Sequence, residues 1–204
     1  MLTRRHRNGA WRSYPIAPEA LGAALGNLPL ASGLLPPETL GFGVAQGDPF
    51  YVLYVPPRRA ALPVVEGTTE RVYDLTTPPL IWAGCGLDYR VWALGREERP
   101  TRGNALLWVA PFPNCYKEGG ICWGSAERPP KAAAETLEAA LALFLVGSRF
   151  NSHLANYKSV AFPANVMAHY ARLAPDQPYP LDDLMPAERQ LGWLLAGGPW
   201  GGTQ

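Results

Sequence analysis

The residues best suited to chemistry lie between Pro111 and Gly124, where Cys115 and Cys122, two of the chain's three cysteines, follow a Phe-Pro-Asn turn. The third, Cys85, stands at the end of a run of strand-forming residues. Free cysteine is among the most buried residue types, so packing is the ordinary role for Cys85 and Cys115. Cys122 differs in its neighbours. Gly119 and Gly120 shortly before it allow a sharp turn and a close backbone approach, which suit a thiol held on an open loop. An unperturbed thiol is a few per cent thiolate at neutral pH, and the thiolate is the nucleophile. Asn114 carries an amide able to donate to a developing oxyanion, and it is equally a natural turn residue. Downstream, His153 fits a general base or a hydrogen-bonding support, and a purely structural histidine fits as well. His6 and His169 carry no comparable signal.

Other chemistries find no support in the sequence. A P-loop, a dinucleotide glycine fingerprint, an HExxH helix and a Gly-x-Ser-x-Gly elbow are all absent. Cys115 and Cys122 do not form a CxxC pair and His153 is far from them in sequence, so neither a metal nor a cofactor is expected. An odd number of cysteines argues against a disulfide framework and for a reducing compartment. With 18 basic and 17 acidic residues the net charge is +1, which disfavours bulk attraction to nucleic acid or an anionic membrane. The first dozen residues hold Arg4, Arg5, Arg7 and Arg12 without an acid, a local charge of +4 that leaves about −3 elsewhere. They read as a solvated tail, with an acidic patch on a partner as the alternative use. Glu19, Asn27 and Pro29 interrupt the apolar centre that a secretory signal needs, so a cytoplasmic protein is expected. No segment approaches the roughly 20 apolar residues of a membrane span.

These residues must be positioned by short elements. The 204 residues include 22 Pro and 21 Gly, which rules out long uninterrupted helices, while 48% hydrophobic content allows a sizeable core. Runs at 40–45, 50–55, 79–83, 89–94 and 105–109 read as four or five antiparallel strands. Diprolines at Pro36-Pro37, Pro56-Pro57 and Pro78-Pro79 stand at the edges of these runs and mark turns. Residues 131–147 read as the main helix, with Leu137, Leu141, Phe144 and Leu145 on the face that covers the sheet. Shorter helices are expected over 17–26 and 186–196, and further helical pieces after 149. The whole predicts an α+β protein: a basic segment with a short helix over 1–30, one domain over 31–196 and a disordered Gly-rich tail over 197–204. Trp82, Trp92, Trp108 and Trp123 read as core or near-core packing, and Trp123 is placed to shield a neighbouring thiol from water.

The order Pro113-Asn114, four residues, Gly119, Gly120, Ile121, Cys122 resembles the active-site segment of ubiquitin-conjugating enzymes. Those enzymes carry His-Pro-Asn, and here Phe112 stands where they have His. Further pieces are similar to PRTRC system protein B, a bacterial branch of the ubiquitin-conjugating-like proteins: Pro78-Pro79-Leu80-Ile81-Trp82, Arg90-Val91-Trp92-Ala93-Leu94, Arg99-Pro100-Thr101, Cys122-Trp123-Gly124 and Ser148-x-Phe150-x-x-His153. The resemblance spans about 34–156. It implies an antiparallel meander of about four strands flanked by helices, with a cysteine-bearing flap. It also implies Cys122 as a thioester carrier supported by Asn114 and His153, a ubiquitin-like protein and an activating-enzyme-like protein as partners, and a deubiquitinase-type metallopeptidase as companion.

The physical demands of a carrier agree with this segment. Exchange of one thioester for another needs only a little thiolate, and attack by an amine places negative charge on the carbonyl oxygen, where an amide donor helps. Two other readings stay open. Loss of the His before Pro113 suits a catalytically idle binding module, and an acyl hydrolase would need Cys122 and His153 within hydrogen-bond reach.

Overall fold

A computed structural model describes residues 2–5, 11–14, 17, 34–124 and 128–201. The chain divides into two units, 1–33 and 34–204. In the first, β1 (Leu2–Arg5) and β2 (Trp11–Tyr14) pair antiparallel, with Arg4 opposite Arg12. The basic start that reads as a solvated tail is therefore a two-stranded ribbon, because its alternating residues can pair along their backbones. The helix expected over 17–26 lies outside the described residues.

The second unit is a mostly-sheet α+β structure. Its strands are β3 (Thr39–Ala45), β4 (Asp48–Val55), β5 (Arg59–Glu66), β6 (Thr69–Thr76), β7 (Leu80–Cys85), β8 (Asp88–Ala93), β9 (Leu106–Val109), β10 (Phe150–Asn151) and β11 (Pro186–Gln190). The main sheet has six strands in the order β11-β9-β8-β7-β4-β3, two more than the meander of about four. All its pairings are antiparallel. The hairpin β5–β6 is inserted between β4 and β7 and forms a second sheet with β10, which joins β5 in parallel at Val64 and Val65.

Every residue of β7, and all but the first two of β4, are buried. The reason is that the sheet is covered on both faces. Tyr51, Leu53, Val55, Trp82 and Val91 face one core together with Leu62, Val64 and Leu75 of the hairpin, while Phe50, Val52, Tyr54, Ile81 and Trp92 face the other. The first core is closed by α1 (Leu137–Ala142) and the wider helical turn 143–147, with Leu137, Leu141, Phe144 and Leu145 buried as their spacing predicts. The helix starts six residues later than expected. Residues before Thr136 are held out of it, since the Ala132 N–H donates to the Gly86 carbonyl at 2.7 Å.

The second core is closed by the C-terminal residues. The helix expected over 186–196 splits into β11 and α3 (Leu191–Leu195), because the open edge of β9 offers backbone partners that capture Pro186–Gln190. Residues 197–201 are not a loose tail. Trp200 is buried, its ring lies 5.7 Å from that of Phe50, and its indole N–H donates to Asp88 Oδ2 at 2.8 Å. A further helix, α2 (Val166–Tyr170), is capped by the Asn165 side chain, which accepts from the Met167 N–H. Among the described residues, no helix is long and apolar enough to cross a membrane.

Candidate functional site

The segment after β9 folds into a closed loop by its own backbone. The Tyr116 N–H donates to the Gly120 carbonyl and the Cys122 N–H to the Asn114 carbonyl, both at 2.8 Å, with Cys115 and Ile121 bridged antiparallel between them. This register sets Asn114 opposite Cys122, so the two side chains belong to the same side of the narrow ribbon. Cys115 and Ile121 take the other side and pack on the first core.

The tip of the loop is tied to the main sheet. β8 pairs with β9 only at Trp92 and Ala93, which leaves the Val91 N–H free to donate to the Gly119 carbonyl at 2.9 Å. Gly119 is required there. Its φ is +86°, and a Cβ on it would lie 2.4 Å from Trp92 Cε2. Gly120 faces no such restriction, since a Cβ on it meets nothing closer than Tyr116 Cδ2 at 3.5 Å.

The base of the loop is anchored as well. Tyr170 donates its hydroxyl to the Pro111 carbonyl, and the Leu154 N–H donates to the Pro113 carbonyl at 3.3 Å. Phe112, in the place of the His of conjugating enzymes, is buried against the rings of Phe144 at 5.2 Å and Phe150 at 6.4 Å. A core contact thus occupies that position.

Cys122 is partly exposed, whereas Cys85 and Cys115 are buried. Its neighbours Ile121 and Trp123 pack against the core, Trp123 edge-on to Tyr89 and Phe144, so the thiol lies between two anchors. Burial pushes the Cys115 thiol up to about 12, against the pull of the nearby Lys158 ammonium. Burial, with Asp48 and Asp88 adding to it, also raises the Cys85 thiol. Both stay protonated at neutral pH, leaving Cys122 as the accessible sulfur.

Asn114 is buried, and the Cys115 thiol donates weakly to its Oδ1 at 3.7 Å. His153 sits in the 3-10 turn Ser152–Leu154, whose last residue donates its N–H to the Pro113 carbonyl, so the turn lies beside the Asn114 end of the loop. Its side chain is exposed, and among the described residues no hydrogen bond joins it to Cys122. The contact that an acyl hydrolase requires is therefore missing.

Two polar clusters give no usable signal in the sequence. His169 Nδ1 lies 2.5 Å from Asp183 Oδ2 and 3.4 Å from Ser159 Oγ. A nucleophilic triad needs the serine on the other ring nitrogen, so this is a structural staple. Lys158 is 3% exposed. Nothing in the run Asn156-Tyr157-Lys158-Ser159 distinguishes it from a surface lysine, and only the tertiary packing buries it.

The model of prokaryotic E2 family D matches residues 19–187, most of the chain. The chain belongs to that family. No curated protein and no solved structure matches it. The match to prokaryotic E2 family D covers β3 to β10, the loop 111–124, α1 and α2, so the segment around Cys122 lies inside the matched region. It supports a ubiquitin-conjugating-like function at the level of the family, and with it ubiquitin-like proteins and activating enzymes as the general class of partner.

Proposed function

We propose that the chain is a ubiquitin-conjugating-like carrier of a bacterial PRTRC system, accepting a ubiquitin-like protein from an activating-enzyme-like partner as a thioester on Cys122 and passing it to an amine. The conjugating-like domain is assigned to residues 31–196, the loop 111–124 is its cysteine-bearing flap, and the setting is cytoplasmic. The observation that carries this reading is the exposure of Cys122 on a loop whose two ends and tip are all tied down, beside two cysteines that burial keeps protonated. In loading, the Cys122 thiolate forms a new thioester bond as the thioester on the activating-enzyme-like partner breaks and releases its thiol, an exchange that needs no strong base. Transfer then develops charge on the thioester oxygen, and Asn114, opposite Cys122, is the residue to donate to it. An exposed His153 is free to take the proton of the attacking amine.

A second reading, an idle binding module, is favoured by one observation: Phe112 fills the His position with a buried aromatic contact. The experiment that decides is incubation with the cognate activating-enzyme-like protein, the ubiquitin-like modifier and ATP. The carrier reading expects an adduct that thiol reductant removes, present in Cys85→Ala and lost in Cys122→Ala. Tight binding of the modifier with no such adduct would establish the idle module instead.

A further inference from the structure

Behind the loop 114–122, on the side away from Cys122, lies a cavity of about 450 Å³. Val109, Cys115 and Lys158 form its floor, and Tyr116, Tyr157 and Glu188 stand at its rim. We propose that this cavity binds a small organic monoanion, a carboxylate on an apolar body, with Lys158 as its counter-ion.

The first argument is the state of Lys158. Its side chain is 3% exposed, yet among the described residues it makes no ion pair and no hydrogen bond. Its nitrogen is not among the fully enclosed polar atoms and so opens into the cavity, where desolvation disfavours the ammonium form and an anion would favour it. Of the groups whose charge would favour the ammonium, Cys115 stays protonated and neutral, Glu118 is exposed, and neither bonds to Lys158.

The second argument is the backbone. Among the described residues, three other than glycine have positive φ: Gln46, Tyr157 at 56° and Glu188 at 57°. Gln46 is explained by the tight turn with Gly47 between β3 and β4. The other two both border the cavity, Glu188 within the bulge of β11 between Pro186 and Arg189. The bulge accounts for Glu188, which leaves Tyr157 as a strained residue on the cavity wall, consistent with a side chain held for a ligand.

The composition of the walls selects the ligand. Lys117 and Glu188, both in the lining, offset one another, which leaves the buried Lys158 as the net charge and matches a ligand with one negative charge. Tyr116 and Tyr157, 43% and 63% exposed, offer ring faces to an apolar body. The volume falls within the roughly 300–1,000 Å³ usual for small-molecule sites. None of this involves the Cys122 thiol.

The test uses the full chain and the fluorescent monoanion 8-anilino-1-naphthalenesulfonate, with its uncharged analogue N-phenyl-1-naphthylamine as control. Saturable binding of one sulfonate is expected, displaced by 4-phenylbutyrate and not by inorganic phosphate. Lys158→Met should weaken sulfonate binding at least tenfold, leave the neutral analogue bound as before, and raise the melting temperature. Tyr157→Gly, which relieves the positive φ and removes the ring, should weaken the sulfonate severalfold, and it decides the matter if the Met variant does not fold. No saturable binding, equal sulfonate affinity in both variants and wild type, or displacement by phosphate but not by phenylbutyrate overturns the proposal.

Discussion

Gly119 and Gly120 are adjacent and chemically identical, yet the structure asks different things of them. Gly119→Ala places a methyl against the Trp92 indole at a φ of +86°, which combines a left-handed penalty with overpacking. The expected loss is about 3 kcal/mol by urea denaturation. Gly120→Ala should stay within about 0.5 kcal/mol of wild type, as an uncrowded site with ordinary φ allows. Equal costs for the two would mean that the loop tip does not rest on Trp92.

Cys115 makes a second prediction at this scale. Burial holds its thiol up to about 12, against an ordinary value of 9.0, so the folded state keeps a proton that the unfolded chain loses in that interval. Stability must therefore fall as pH rises from about 9 to 12, by about 1.4 kcal/mol per pH unit for this group. Cys115→Ala removes this contribution. Tyr179 and Tyr170, raised by the same burial, titrate in both proteins, so the difference between the two stability curves reports the thiol together with its coupling to Tyr170 and Lys158. Parallel curves over that range would place Cys115 in contact with solvent.

Among the elements, the segment from 159 to 183 depends on polar staples more than on helix length, since α2 has five residues. Asp183 accepts from the Ala161 N–H at 2.7 Å through Oδ1 and bonds His169 through Oδ2, while its own carbonyl accepts from Val160. Ser159 Oγ accepts from the Phe162 N–H at 2.9 Å. Asp183→Ala leaves the Ala161 N–H without a partner and His169 with only its 3.4 Å contact to Ser159, and should cost about 3 kcal/mol. Hydrogen exchange at the Ala161 amide is the sharper readout, because protection lost there alone identifies local opening. Unchanged protection would show that the turn holds without the carboxylate. The same segment supports the candidate site, since Tyr170 on α2 grips the Pro111 carbonyl at the start of the loop.

For the second unit as a whole, the decisive feature is a sheet buried on both faces. Its second core is completed only by α3 and Trp200, some 150 residues after the Phe50 ring that Trp200 covers. Trp200→Ala should cost about 3 kcal/mol, in the range of a buried aromatic truncation. Trp200→Phe keeps the ring contact and loses the bond to Asp88, at about 1 kcal/mol. Urea midpoints measure both, and an Ala variant as stable as wild type would make the C-terminal residues dispensable.

The sequence by itself determined what depends on local spacing. The five strands of the main sheet from β3 to β9 follow from runs of β-forming residues bounded by diprolines, and the buried face of α1 follows from helical spacing. The order of residues from Pro113 to Cys122 also pointed to the family before any contact was known. Tertiary structure decided whatever depends on a distant partner. β5 hides its alternation around Pro63, β6 buries only Tyr73 and Leu75 after a run of exposed residues, and β11 exists because β9 has an open edge. Phe112, Asn114 and Lys158 look like ordinary turn or surface residues, and their burial arises from segments far away in the chain. Local pattern fixes a residue's own backbone preference, whereas burial and pairing are properties of two surfaces that meet only after the chain has folded.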